Sequence, residues 1–200
     1  TAIMSHLIED VIPKAMADGM SHPGAFSLLT LAAFQYFAGK TDFVVLEVGL
    51  GGWLDPTNII ASPVLSVITP LSLEHCHILG DTIEQIAKEK AGIIKPGIPA
   101  ITAPQEERAL AVLKADALEK QSPLVCLYKD KLKPVTTNLV GNYQQMNCNT
   151  ALAAVQNLIE RGVVQVSDQQ IADALCHVSW PGRMEYFDLD EGKAILLDGA

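Results

Sequence analysis

Two kinds of hydrophobic pattern alternate along the chain. Six segments carry apolar residues at helical spacing, and short unbroken apolar runs, typical of buried strands, lie between most of them. The predicted helices cover residues 4–16, 25–37, 82–91, 106–120, 145–161 and 168–176, and the predicted strands cover 43–48, 64–69, 100–102, 124–127 and 194–197. This alternation predicts one α/β domain, with a mostly parallel sheet and helices on both faces.

Composition narrows the class of protein. Of the 200 residues, 49% are hydrophobic and 18% are charged, which suits a well-packed core. The formal charge of −9 argues against a nucleic acid or an anionic membrane as partner. The four cysteines are scattered, no apolar run approaches the ~18 residues of a membrane helix, and no signal peptide opens the chain. We therefore expect a reducing compartment: the cytoplasm, or the mitochondrion of a eukaryote.

Polar residues cluster where predicted strands end. In an open parallel sheet, ligands bind at the carboxyl ends of the strands. The loops 49–58, 70–81 and 198–200 fall at that edge. Glu47 closes the first strand and has two interpretations: an oxygen ligand for Mg²⁺, or a carboxylate of an edge strand that faces water.

Two glycine patterns imitate nucleotide-binding motifs. "FAGKT" (37–41) lacks the first glycine of a P-loop, and it ends a helix where a P-loop opens one. "GLGG" (49–52) lacks the third glycine of the dinucleotide fingerprint, since residue 54 is Leu. Neither motif is present in full.

The segment 72–91 carries further candidate chemistry. His75 and His77 could pair on zinc, but the loop offers no third and fourth ligand. Lys90 falls on the apolar stripe of the predicted helix, formed by Ile83, Ile86, Ala87 and Ala91. An inward lysine either extends to solvent or loses its charge, and a neutral amine can react with CO₂ to give a carbamate. The pattern leaves both outcomes open.

Six motifs occur in an order that resembles one enzyme family. They read "LEVGLGGWLDPTNII", "LEHCHILGDT", "IAKEKAGIIKPG", "NYQQMNCNTALAA", "WPGRME" and "LLDGA". Together they resemble the folylpolyglutamate synthase and dihydrofolate synthase family of Mur ligases over about residues 26–200. The resemblance implies the central part of an ATPase domain, with a P-loop NTPase-like fold. It also implies an ATP-dependent carboxylate–amine ligase, in which ATP activates a pteroate or folate as an acyl phosphate and the amino group of L-glutamate attacks it.

The resemblance also assigns roles to residues, and ATP and Mg²⁺ as cofactors. It implies catalytic roles for Lys90 and His75 and makes Lys90 a carbamylated lysine. The metal positions are Glu47, His75 and Lys90; the nucleotide positions are Asn147, Arg183 and Asp198; the substrate positions are Gly51, Gly52, Thr57 and Asn58. From the residues alone, Asn147 could equally bond free N–H groups of its own helix. Arg183 could equally be a surface charge.

Departures from the family pattern put substrate binding in doubt. Trp53 stands where the glycine loop usually has arginine, Ser27 where the early helix has glutamate, and Tyr143 where a histidine is usual. Glu74 replaces the aspartate that usually precedes the magnesium-site histidine. These changes favour a second interpretation, a non-catalytic relative that acts as a binding or assembly module.

The motifs also suggest a piece of a longer protein. We expect 1–193 to form a partial ATP-binding domain and 194–200 to begin a further domain. No P-loop occurs in the sequence, so we expect the chain not to ligate substrates by itself. A sheet that lacks a strand exposes an edge, which predicts self-association. A third interpretation is an unrelated nucleotide-binding enzyme with a chance glycine pattern, which the ordered motifs argue against. The resemblance fits dihydrofolate synthase and folylpolyglutamate synthase alike.

Overall fold

A three-stranded parallel sheet forms the centre of the chain in the computed structural model, which describes residues 2–189 and 192–199. The strands β1 (Ser66–Ile68), β2 (Ala100–Thr102) and β3 (Leu124–Cys126) lie in the order β1-β2-β3. The register pairs Val67 with Ile101 and Ile101 with Val125. The parallel arrangement confirms the predicted fold class.

Helices of very different length surround this sheet. Two short helices, α1 (Ala2–His6) and α2 (Ile12–Ala17), are joined by a π-helical turn, and α3 (Ala25–Phe37) follows. The others are α4 (Cys76–Leu79), α5 (Ile83–Ala91), α6 (Glu107–Glu119), α7 (Tyr143–Glu160) and α8 (Asp168–Cys176). Single 3₁₀ turns cover Pro56–Ile59 and Lys129–Lys131. The six predicted helices are present within two residues at each end, apart from the interruption in the first.

The core lies between the sheet and the helix pair α5/α6. Ile83, Ala87 and Ala91 of α5 meet Leu113 of α6 and Ala100 of β2 in one buried cluster. Ile101 is also fully buried, although it alternates with Ala100 and so faces the other side of the sheet, where α7 contacts β2. Both faces of the sheet are therefore covered, as the pattern predicted.

Capping explains why α5 begins and ends where it does. The Thr82 hydroxyl accepts a hydrogen bond from the Gln85 N–H, and the Gln85 side chain bonds back to the Thr82 N–H, which makes a capping box. The helix ends at Ala91, and Gly92 follows. All four predicted stripe residues are buried, so the period identified the inward face correctly.

The strand prediction for residues 43–48 is wrong. This segment has no strand assignment, and its side chains face solvent, with Val45 98% exposed. Apolar residues favour a strand, but a strand also needs hydrogen-bonding neighbours, and β1 pairs only with β2 in the described part of the sheet. Glu47 therefore lies on an irregular, exposed segment and not at the end of a central strand.

The last strand, β5 (Lys193–Leu197), belongs to a separate sheet. It pairs antiparallel with β4 (Glu185–Leu189), a strand that the pattern did not predict. This pairing crosses the predicted boundary between residues 193 and 194, and that boundary remains a prediction. Residues 1, 190–191 and 200, which the predicted ranges include, lie outside the described residues. No helix among the described residues is long and apolar enough to cross a membrane.

Candidate functional site

The glycine loop (residues 49–58) is organised around the carboxylate of Asp55. One carboxylate oxygen accepts the backbone N–H groups of Gly49 and Leu50, both at 3.0 Å. The other accepts the backbone N–H of Thr57 at 2.9 Å and its hydroxyl at 2.5 Å. Burial acts to raise the pKa of Asp55, but these four hydrogen bonds outweigh it and lower the pKa below 3.8. Asp55 is thus an ionised, buried centre that fixes the path of the loop.

The same loop is seated on the carboxyl end of α5. Trp53 donates its backbone N–H to the carbonyl of Glu89 at 3.0 Å. A Cβ placed on Gly52 would lie 2.8 Å from that carbonyl oxygen and 3.1 Å from Cα of Lys90, and a Cβ on Gly92 would lie 2.5 Å from Cα of Trp53. Both glycines are therefore required by the close approach of two backbones, and the glycines of the loop serve the fold first.

Thr57 and Asn58, the predicted substrate residues at the end of the loop, also bond within the protein. Thr57 is buried, and its hydroxyl donates a hydrogen bond to the carboxylate of Asp55. The Asn58 side-chain amide donates to the carbonyls of Trp53 at 3.2 Å and Gly92 at 3.1 Å, and the backbone carbonyl of Asn58 accepts from the Lys95 ammonium at 3.2 Å. Burial, and secondarily the charge of Lys120, lowers the pKa of Lys95.

Lys90 lies in the turn of α5 that supports the glycine loop. Its side chain is half-buried, and its ammonium makes no hydrogen bond or ion pair among the described residues. The side chain of its neighbour Lys88 points to Asp116 on α6, at 2.8 Å. The backbone of Lys90 thus lies against Gly52, and its amine has no partner among the described residues. Its carbamylation and its catalytic role remain predictions.

The predicted metal residues Glu47 and His75 are both exposed. His75 is exposed and precedes α4 in a left-handed conformation (φ 51°), which histidine tolerates better than most residues. Its ring lies 6.5 Å from that of His77. Within residues 2–189 and 192–199, no three His, Cys, Asp or Glu side chains form a cluster that could hold a metal ion. The metal roles of Glu47, His75 and Lys90 remain predictions.

Two of the predicted nucleotide residues, Arg183 and Asp198, lie close together. Arg183 donates to the carbonyl of Gly199 at 3.1 Å, and Gly199 donates its N–H to Gly182 at 2.7 Å, so Arg183 and Asp198 are neighbours. Asn147 is the fifth residue of α7, just past its first turn, and its side-chain amide donates to the side chain of Gln144 at 3.1 Å. No hydrogen bond or ion pair joins Asn147 to Arg183 or Asp198 in the described part of the chain.

Two carboxylates that the sequence analysis did not single out prove central. Asp55 could have been found from "DPT", since an aspartate before Pro is a typical start of a helical turn. Asp116 is 4% exposed and lies on the stripe Ala109, Leu113, Asp116, Ala117 of α6, a polar residue at an inward position. That position, seven residues after Ala109, was visible in the pattern.

Comparison with known proteins identifies the family of the chain. No family model matches it. It is 36% identical over 202 residues to a Bacillus subtilis dihydrofolate synthase/folylpolyglutamate synthase, which covers 89% of this chain and 46% of that protein. A mitochondrial folylpolyglutamate synthase of Bos taurus is 36% identical over 208 residues, covering 90% of this chain and 35% of that protein.

Solved structures that resemble this chain come from the same family. A folylpolyglutamate synthase complexed with AMPPCP superimposes with a TM-score of 0.87 at 30% identity, over 100% of this chain and 54% of that chain. A complex of the enzyme with AMPPCP and folate gives a TM-score of 0.84 at 30% identity, over 98% and 53%. The chain spans about half the length, or less, of the proteins that it matches. Over that span, it belongs to the folylpolyglutamate synthase and dihydrofolate synthase family.

Proposed function

We propose that this chain is the nucleotide-handling part of an ATP-dependent carboxylate–amine ligase that adds L-glutamate to a pteroate or folate. In this reaction, ATP transfers its terminal phosphoryl group to the substrate carboxyl. The amino group of L-glutamate then attacks the acyl phosphate, with release of ADP and phosphate. The observation that carries the proposal is the 36% identity to a dihydrofolate synthase/folylpolyglutamate synthase across 89% of the chain.

The seating of the glycine loop on α5 supports the proposal. Phosphoryl transfer depends on positioning and on neutralised charge more than on covalent help from the protein. The bonds from Trp53 to Glu89 and from Asn58 to Gly92 keep the loop fixed beside the unpaired amine of Lys90. ATP and Mg²⁺ are the cofactors that we propose for the complete site, with Asn147, Arg183 and Asp198 on the nucleotide.

Nucleotide binding is tested by calorimetric titration of the 200-residue chain with ATP, with and without Mg²⁺. We expect binding that requires Mg²⁺ and that Glu47→Ala abolishes. Asp42→Ala, an exposed carboxylate five residues earlier, is the matched control and should leave the titration unchanged. A folded chain that gives no binding heat with Mg²⁺ and ATP contradicts nucleotide handling by this part.

Ligation is tested in a chimera that carries this chain in place of the matching 202 residues of the Bacillus subtilis relative. ADP release that requires both L-glutamate and a pteroate or folate supports the proposal, and Lys90→Met should remove it. Folding of the chimera is checked by circular dichroism. A folded chimera without activity favours the second candidate function, a non-catalytic binding or assembly module.

That second candidate has an observation in its favour. Trp53 stands where the family has arginine, and its indole is 60% exposed on the glycine loop, where it adds no charge for an anionic substrate. Restoring arginine by Trp53→Arg in the chimera distinguishes the two. A gain of ligation means that one substitution had impaired a competent site.

We further propose small-molecule substrates, a cytoplasmic or mitochondrial location, and self-association through the sheet edge. The exposed apolar segment 43–46 and the outer edge of β1 support association. Sedimentation velocity should show dimers or larger species at micromolar concentration, and Val45→Lys should reduce them. A monomer at all concentrations contradicts this part of the proposal.

A further inference from the structure

An ion-pair triad around a buried carboxylate lies on the side of α5 that faces α6. Asp116 of α6 is 4% exposed. Its Oδ1 accepts from the Lys88 ammonium at 2.8 Å, and its Oδ2 lies 2.5 Å from the Lys120 ammonium, an ion contact whose angle does not suit a hydrogen bond. The buried Asp116 carboxylate therefore contacts two lysines, Lys88 of α5 and Lys120 at the end of α6.

Both lysines are connected to the C-terminal turn of α5. Lys88 is part of that turn, and Lys120 donates a hydrogen bond to the carbonyl of Ala91 at 3.0 Å, which is the last residue of the helix. Lys90 lies between these two points of attachment. On another side of the turn, Glu89 and Gly92 accept hydrogen bonds from Trp53 and Asn58 of the glycine loop.

The triad also affects a second contact of the glycine loop, the hydrogen bond from Lys95 to Asn58. The Lys95 ammonium holds the carbonyl of Asn58, and the charge of Lys120 acts on Lys95. Asp116 neutralises Lys120, which limits the repulsion between these two cations. Loss of the Asp116 charge would thus loosen the turn at Ala91 and weaken the Lys95–Asn58 contact together.

We propose that Asp116 is a positioning residue, which through Lys88 and Lys120 holds the C-terminal turn of α5, and with it Lys90 and the glycine loop, in the arrangement that the site requires. This inference rests on the proposed function, because it assumes that Lys90 and the loop serve one site. Asp116 acts through its neighbours and does not itself touch the loop.

The test measures the loop directly, in the 200-residue chain. Amide hydrogen exchange followed by NMR compares the N–H of Trp53, which reports loop seating, with that of Ile101 in the core of β2. In Asp116→Asn we expect exchange at Trp53 to rise at least tenfold relative to Ile101. Lys120→Met, a milder change that leaves Asp116 paired with Lys88, should give the same pattern at smaller size. Glu119→Gln, an exposed charge on the same helix, is the matched control.

A spectroscopic reading separates positioning from general stability. In a Trp180→Phe background, Trp53 is the single tryptophan, and its folded-state emission and acrylamide quenching are recorded well below the unfolding midpoint. Loss of stability alone leaves this folded-state signal unchanged, whereas an unseated loop shifts it. Equal rises in exchange at Trp53 and Ile101 with unchanged emission, or no change at Trp53 in either variant, would overturn the proposal.

The hydrogen-exchange and fluorescence measurements require no nucleotide, so they test loop positioning separately from ATP binding. If the variants show the expected exchange pattern but wild type binds no ATP, the positioning of the loop stands and the proposed function fails. If wild type binds Mg·ATP, Asp116→Asn should weaken that binding while Glu119→Gln does not. A triad variant that unseats the loop and leaves ATP affinity unchanged refutes the functional part of the inference.

Discussion

Replacing Gly52 by alanine should unseat the glycine loop from α5. The added Cβ would lie 2.8 Å from the carbonyl oxygen of Glu89, 3.1 Å from Cα of Lys90 and 3.2 Å from a methyl carbon of Ile93. Two of these three atoms belong to backbone, which cannot rotate away. The loop must therefore move, and the bond from Trp53 to Glu89 must lengthen or break.

The magnitude follows from three contributions. Overpacking of a tight contact costs about 1–3 kcal/mol. Loss of the Trp53–Glu89 hydrogen bond, and of the Asn58–Gly92 hydrogen bond that depends on the same seating, costs about 1 kcal/mol each. Restricting the unfolded chain returns about 0.4–1 kcal/mol. The expected loss in the free energy of unfolding is about 2–5 kcal/mol, which lowers Tm by roughly 4–18 °C for a chain of this size.

Urea unfolding followed by circular dichroism measures the loss, with Gly24→Ala as control. Gly24 has no atom within 4 Å of an added Cβ and an ordinary φ of −67°, so its replacement should cost less than about 1 kcal/mol as a helix cap. A Gly52→Ala chain as stable as the Gly24→Ala chain would refute the close seating of the loop on α5.

Three further outcomes are expected from the described contacts. Asp55→Asn should cost about 2–3 kcal/mol, because the ionised carboxylate accepts four donors; thermal melts quantify it. Folding lowers the pKa of Asp55, so the stability that its carboxylate contributes is fully present above the unfolded pKa near 3.8 and is lost as pH falls through the lower folded pKa. Thermal melts between pH 6 and pH 2 should therefore show a smaller loss of stability on acidification in Asp55→Asn than in wild type. Leu113→Ala should cost about 2–5 kcal/mol in urea unfolding, since the side chain is fully buried between α6 and α5, whereas the exposed Leu118→Ala should cost less than about 1 kcal/mol. Thr82→Ala should cost about 1 kcal/mol through loss of the capping box, and a cost of zero would mean that α5 is held by packing alone.

The sequence was most informative where a local rule decides the structure. The stripe of α5 and its Thr82 cap follow from spacing and from side-chain chemistry within one helical turn. The 43–48 segment was predicted wrongly because apolar character is local, whereas strand pairing depends on residues far away along the chain. The strand β4 was missed for the same reason, since its partner β5 supplies the hydrogen bonds that define it.

The candidate site shows the same division. Glycine at position 52 signalled a close approach, but only the structure shows that another backbone, the end of α5, makes that approach. The role of Asp116 also required the structure, because its partner Lys88 comes from the neighbouring helix α5. Sequence spacing identified the inward position of Asp116 and offered Lys120, four residues later, as a partner, but it could not identify Lys88.

The seating of the glycine loop on α5 also sets an order of events during synthesis. Asn58 is bonded to Gly92 and Lys95, which lie 34 and 37 residues later in the chain. A ribosome adds about 5–20 residues per second, so the loop emerges seconds before its partners exist. During that interval its backbone groups are satisfied by water and by Asp55 alone. The loop therefore takes its final shape as a late step, once helix α5 has been made.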